Sequence, residues 1–259
     1  MIFILSRVVL LFSLLFTGCE NVPGNNGINS EAEEMKYETG YNLAAPDQRF
    51  VLPDTLREIS GLTNIDSTTF ACVQDENGIL FIYDIVNNEI RDQYTFNIDG
   101  DYEGIARIDK IIYVLRSDGT LFEISDYRSK DFKLTAFKTG IPADNNEGLC
   151  YDADNNRLLI ACKGKVDKSR KYKDKRLIFE FDLGTKTLSD EPAFDFDLQT
   201  TIKFADSKNI HLPEKEKKGK PAKEPAIKFR TSAICIHPLT KKLYLLSASD
   251  HMLFIFDMK

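Results

Sequence analysis

The feature that most limits what this chain can fold into is an internal repeat. The tripeptides Ser60-Gly61-Leu62, Glu103-Gly104-Ile105, Glu147-Gly148-Leu149 and Ser232-Ala233-Ile234 align without gaps, at spacings of 43, 44 and 85 residues. The last spacing is one period of 44 plus 41 inserted residues, and the charged segments around 165–175 and 206–228 supply them. After each tripeptide comes a second shared pattern. Residues 70–84, 112–126 and 243–257 are each fifteen long, each end on Asp, and each place a turn signal between two apolar runs. That is the pattern of a β-hairpin. The third unit repeats it as residues 158–163 and 177–182 around a basic excursion.

Each period therefore reads as strand A on the tripeptide, strands B and C as the hairpin, and strand D at 93–97, 132–139 or 193–198. Four short antiparallel strands in about 44 residues make the unit of a β-propeller blade, which buries its faces only by packing radially against its neighbours. The expected fold is all-β, a propeller of four-stranded antiparallel blades with four repeats visible, five-bladed if complete. Residues 48–52 precede the first strand A and are placed to serve as the outer strand of the final blade, closing the ring.

The remaining sequence fits a globular exported domain. The chain has 259 residues, 42% hydrophobic and 29% charged. Its 34 basic and 40 acidic residues give a net charge of −6, which argues against nucleic acid as a partner. Residues 1–18 carry one charge, Arg7, and an apolar run at 8–16, too short to span a bilayer that needs about 20 helical residues. They read as a signal peptide. Leu15-Phe16-Thr17-Gly18-Cys19 resembles the bacterial lipobox, with Phe16 where Leu is usual, which implies lipidation of Cys19. The expected plan is a lipoprotein signal peptide at 1–18, a flexible tether at 19–36 rich in Asn, Gly and Glu, and the propeller at 37–259. The expected address is the cell envelope, anchored by lipid to the plasma or outer membrane. Cys72, Cys150, Cys162 and Cys235 lie in apolar runs and read as buried thiols, one cross-strand bridge being the alternative.

Candidate chemistry concentrates where the A strands begin. Residues two apart on a strand share a face, which groups Glu58 with Ser60, Asp101 with Glu103, Asn145 with Glu147 and Arg230 with Ser232 at one channel mouth. Asp75 and Lys163 hold equivalent positions after strand B, and Arg116 adjoins the same end. Converging carboxylates repel unless they are neutralised. Ca²⁺, which takes about 6 to 8 oxygen ligands, is the expected neutraliser on Glu58, Glu103, Glu147 and Asp101. Ion pairs with Arg57, Arg116, Arg230 and Lys163 are the competing reading. Residues 99–110 begin like an EF-hand loop but end on Lys110, where that loop needs Glu. His211, His237 and His251 have no zinc-site spacing. No G-x-S-x-G or G-x-x-x-x-G-K-[ST] motif occurs. Residues 163–176 contain eight Lys or Arg, a solvated loop or a contact for anionic headgroups.

Arg57-Glu58-Ile59-Ser60-Gly61-Leu62, Tyr102-Glu103-Gly104-Ile105-Ala106, Asn146-Glu147-Gly148-Leu149, Ser232-Ala233-Ile234, His237-Pro238 and Leu243-Tyr244-Leu245-Leu246-Ser247 together resemble the SdiA-regulated family of bacterial exported propellers, over residues 48–259. The resemblance implies a five-bladed propeller distantly similar to NHL-repeat proteins with a calcium site at the channel, carried here by Glu58, Glu103 and Glu147. The family's final blade, with a further Glu-Gly motif, has no counterpart in this sequence. The expected function is binding of a small ligand or an envelope protein at a calcium-bearing channel mouth. The alternative is a calcium-dependent lactonase or esterase.

Overall fold

A computed structural model describes residues 41 and 45–258, apart from 130, 167–171, 173, 217–222 and 226. The signal peptide, Cys19 and the tether lie outside the described residues. The chain divides into two compact units, Met1–Leu52 and Pro53–Lys259. The second unit is a propeller of four blades.

The first blade is β1 (Ile59–Asn64), β2 (Thr69–Gln74), β3 (Ile79–Asp84) and β4 (Glu89–Thr95), and the second is β5 (Tyr102–Ile108), β6 (Ile111–Arg116), β7 (Thr120–Ser125) and β8 (Lys133–Lys138). Both are antiparallel meanders in chain order. In the third blade β9 (Asn146–Asp152), β10 (Arg157–Cys162) and β11 (Lys175–Asp182) are followed by an outer strand in two pieces. β12 (Thr187–Leu188) pairs with one end of β11 and β13 (Phe194–Asp197) with the other. An insertion follows, comprising α1 (Leu198–Ser207), β14 (Glu214–Glu216) and β15 (Lys223–Pro225). The fourth blade is β16 (Ala233–Ile236), β17 (Leu243–Ser247) and β18 (Met252–Phe256), a three-stranded sheet among the described residues. Residues 48–52, expected to supply its outer strand, carry no strand, and Val51 is 73% exposed.

The inner strands neighbour one another in the order β1, β5, β9, β16. Glycine makes that approach possible. A Cβ on Gly61 would meet Ile105 Cγ2 at 3.0 Å, one on Gly104 would meet Leu149 Cβ at 2.8 Å, and one on Gly148 would meet Ile234 Cγ2 at 2.8 Å. Each repeat's glycine is thus the socket for the Ile or Leu that follows the glycine, or Ala233, of the next repeat. Three apolar clusters fill the gaps between successive blades. One joins Val73, Leu80 and Ile82 to Ile105, Ile112 and Val114, a second joins Leu115 and Leu121 to Leu149 and Ile160, and a third joins Leu159 and Ile178 to Ile234 and Leu245. All four predicted thiols are free, and Cys72, Cys150 and Cys162 are buried.

The aspartates that end two of the hairpins have a structural reason. Asp84 accepts from Val86 N at 2.8 Å and Asn87 N at 3.1 Å, and Asp182 accepts from Gly184 N at 2.8 Å and Thr185 N at 2.6 Å. These bonds close the turn into the outer strand, and hydrogen bonds from those backbone amides hold both carboxyls below their usual range. Replacing Gly104 by Ala drives a Cβ into Leu149 and into the Glu147 carbonyl, 2.9 Å away, so neither side has a flexible end that can yield. The expected loss is about 2 kcal/mol or more, read from urea denaturation, whereas Gly140→Ala, in open space, should lose only about 1 kcal/mol, the cost of its positive φ.

Candidate functional site

The strand pairing contains an irregularity that places the site. In β1, β5 and β9 the ladder slips between residues 59 and 61, 102 and 104, and 146 and 148, leaving Ser60, Glu103 and Glu147 unpaired. One extra residue opposes the partner strand there, and such bulges re-aim a side chain. The same repeat position therefore leaves the ladder in each of these blades, at the end where strand A begins and strand B stops.

Glu147 is 6% exposed and its Oε1 lies 2.5 Å from Lys163 Nζ. Glu103 is half-buried. Burial first, then the charges of Glu147 and Asp101, and then a hydrogen bond with Asp101, push its carboxyl up to about 7, and Lys163 opposes the rise. The two carboxylates thus divide the labour that one lysine permits, with Glu147 paired and Glu103 retaining a proton towards neutrality. The expected meeting of Asp101 with Glu103 is present. Lys163 is held in place through its own backbone, since Lys163 N and Gly164 N both donate to Asn145 O at 2.9 Å.

Three side-chain oxygens at the adjoining strand ends also lack donors, on Asp75 after β2, Asn145 before β9 and Asn146 at its start. Asp75 Oδ1, Asn145 Oδ1 and Asn146 Oδ1 are buried and have no hydrogen-bond partner. Asn146 is 0% exposed and spends its amide nitrogen on Ser117 O and Ala143 O, both at 2.9 Å. Sequence reasoning passed over Asn146. Its signal was the Asn145-Asn146 pair before the third Glu-Gly motif.

Other predicted lining residues have different duties. Ser60 Oγ donates to Tyr102 O, tying the first blade to the second. Ser232 Oγ donates to Leu246 O and accepts from Ala248 N, both at 3.1 Å. Arg116 grips Asp118 through two nitrogens, at 3.1 and 2.7 Å. Arg57 pairs with Asp54. Glu58 is exposed and shares a shallow cleft with Asp54, Arg57 and Gln74. Arg230 is exposed at the fourth blade's rim.

The donor set Glu103, Glu147, Asp101, Asp75 and Asn145 is all oxygen, the chemistry of a hard cation such as Ca²⁺. Lys163 holds a cation's place on Glu147 in this arrangement. Among the described residues no group of three or more His, Cys, Asp or Glu stands ready to hold a metal. A calcium ion at this rim would therefore have to take Glu147 from Lys163.

The Glu103 shift has a definite sign in stability. With the folded value near 7 and the ordinary one at 4.5, the folded chain keeps a proton that the unfolded chain releases. The contribution is fully present below about pH 4.5 and is lost as pH rises through about 7. Glu103→Gln removes that loss. Chemical denaturation should show the variant gaining stability on the wild type between pH 5 and 8, and parallel curves would contradict the geometry.

No protein-family model matches the chain, and no curated protein matches it. Solved structures do. Virginiamycin B lyase from Staphylococcus aureus is 14% identical with a TM-score of 0.41, over 81% of this chain and 58% of that one. The Cps50 (Swd1) β-propeller domain of Myceliophteria thermophila is 12% identical at 0.41, over 82% and 61%. A protein of unknown function from Bacteroides thetaiotaomicron is 8% identical at 0.46, over 76% and 40%. The chain spans about two fifths to three fifths of the length of these structures.

Proposed function

We propose that this chain is an exported, lipid-anchored propeller, akin to the SdiA-regulated family it resembles, that binds a small ligand or an envelope protein at its channel mouth with Ca²⁺ on the acidic rim. One observation carries the reading: Glu103 is held near pH 7 beside Glu147 and Asp101, in a rim where the buried Asp75 and Asn145 oxygens lack donors. Such a rim is undersupplied with positive charge, and a divalent cation meets that shortage better than one lysine. Glu103, Asp101 and Glu147 are the residues that would hold the ion. Glu58, exposed beside Arg57 and Asp54, is left out of the set.

Binding of the ion requires ionised Glu103, so calcium affinity should rise with pH up to about 7 and level off above it. The test is a calcium titration of the full chain followed by thermal melting. At calcium about a hundredfold above its Kd, mass action should raise the midpoint by about 5–10 °C. Glu103→Gln and Glu147→Gln should abolish the rise. A folded wild type indifferent to calcium sinks this reading.

The second reading, a calcium-dependent lactone or ester hydrolase, draws on the same residue. A carboxylate that titrates near neutrality suits a general base, and a bound divalent ion would polarise the ester carbonyl. Calcium-dependent hydrolysis of a simple aryl ester or lactone, lost in Glu103→Gln, would favour it over binding alone.

The membrane address rests on Cys19. Full-length protein made in a bacterium should enter the detergent phase on Triton X-114 partition, and Cys19→Ala should move it to the aqueous phase.

A further inference from the structure

The rim changes sign at the fourth blade. Its residue two before the tripeptide is Arg230, where the second and third blades have Asp101 and Asn145. Arg230 sits beside a backbone conformation that bulky residues avoid, since Phe229 has φ 44°. The strained residue is clamped from every side. Its ring is 0% exposed and stacks on Phe254 with centroids 4.2 Å apart. The buried Asp250 carboxylate accepts from Lys228 N at 2.8 Å and Phe229 N at 2.7 Å. Arg176, at the start of β11 in the third blade, donates from Nε to Phe229 O at 2.9 Å and from its terminal nitrogens to Lys228 O at 2.5 Å and Lys175 O at 2.8 Å.

Neither guanidinium makes an ion pair among the described residues, although the Asp174 and Asp250 charges act on Arg176 through space. Arg176 meets only carbonyl oxygens, which take up its hydrogens and leave its charge. Of its five N–H groups two have no partner among the described residues. Arg230 uses its backbone N–H on Ser247 Oγ at 3.1 Å, and its guanidinium is exposed with no acidic partner among the described residues. The two side chains feel each other: burial, and then the Arg230 charge, hold the Arg176 guanidinium below its ordinary value, and the Asp174 and Asp250 charges only partly offset them. Strain maintained at a residue that aims a functional group is the usual setting for a binding position.

We infer that Arg230 and Arg176 form an oxyanion site at the basic sector of the mouth, which takes a carboxylate or phosphate group of the bound ligand. The inference rests on the mouth being the ligand-binding end, as proposed above, and narrows the ligand to an anionic one. Guanidinium forks match both carboxylate and phosphate oxygens in pairs. One anion between two arginines that lack a direct ion pair relieves their mutual repulsion.

The test uses the full chain in detergent, with inorganic phosphate and acetate as separate probes, chloride holding ionic strength constant and calorimetry as readout. The wild type should bind at least one of the two, and which one is tighter separates a phosphorylated from a carboxylated ligand. Arg230→Gln should weaken that binding about tenfold and Arg230→Lys by less. Arg176→Gln also loosens the 228–229 backbone, so the exposed Arg230 carries the decision. Binding of neither probe, or equal binding by wild type and Arg230→Gln, overturns the inference. Anion binding that needs Arg230 in a protein indifferent to calcium would sink the calcium reading and leave this one standing.

Discussion

The contact on which everything else depends is the one between a missing side chain and a present one. Gly61, Gly104 and Gly148 lack the Cβ that would collide with Ile105, Leu149 and Ile234, and that vacancy brings successive inner strands close enough to share an apolar core. The hairpins, outer strands and turn aspartates elaborate this arrangement, but none could substitute for it. A sheet with both faces apolar is stable only when both are covered, and radial packing covers them with copies of the same unit. At the fourth repeat the socket position is Ala233, which is exposed. The substitution falls where the backbone has no tight neighbour to admit.

Electrostatics at the mouth follow from this geometry. Because inner strands pack tightly, residues that leave the ladder beside the glycines are forced near one another whatever their charge. Two glutamates are therefore brought together in partial burial, where repulsion is poorly screened. The chain answers with Lys163 on Glu147 and a retained proton on Glu103. Further round the rim the charge changes sign, with Arg176 on carbonyl oxygens and Arg230 exposed. A mouth with one acidic and one basic sector holds its charges apart by scaffold rigidity, and a ligand of the kind proposed would relieve both.

The blades were legible in the sequence because the repeat signals are local. Glycine tripeptides, fifteen-residue hairpins and terminal aspartates lie within one period, and the four blades followed from them. The outer strand of the third blade was read at 193–198 as one piece, whereas β12 and β13 divide it. Two short segments on an irregular stretch leave no clear alternation to read. Residues 48–52 stood in the right place for the closing strand and lack the conformation, since place in the chain records what a segment could pair with and not whether it does. In the site, simple alternation put Asp101 with Glu103 and Glu58 with Ser60, and Glu58 lines a cleft with Asp54, Arg57 and Gln74. The bulges lay beyond a period-two argument. Arg176 and Arg230 meet across 54 residues and an insertion, so no spacing rule could have joined them.

The bulge has a consequence for how such a mouth can diversify. Ser60, Glu103 and Glu147 stand outside the pairing ladder, while the glycine beside each carries the packing between blades. Scaffold and chemistry are thus written in adjacent letters of the same tripeptide but answer to different constraints. One letter can vary with little disturbance to its neighbour. Ser60 and Glu103 illustrate this freedom, one sewing two blades together through a hydroxyl and the other storing a proton, on strands of the same design. A propeller built this way can rewrite its rim one position at a time and keep its frame.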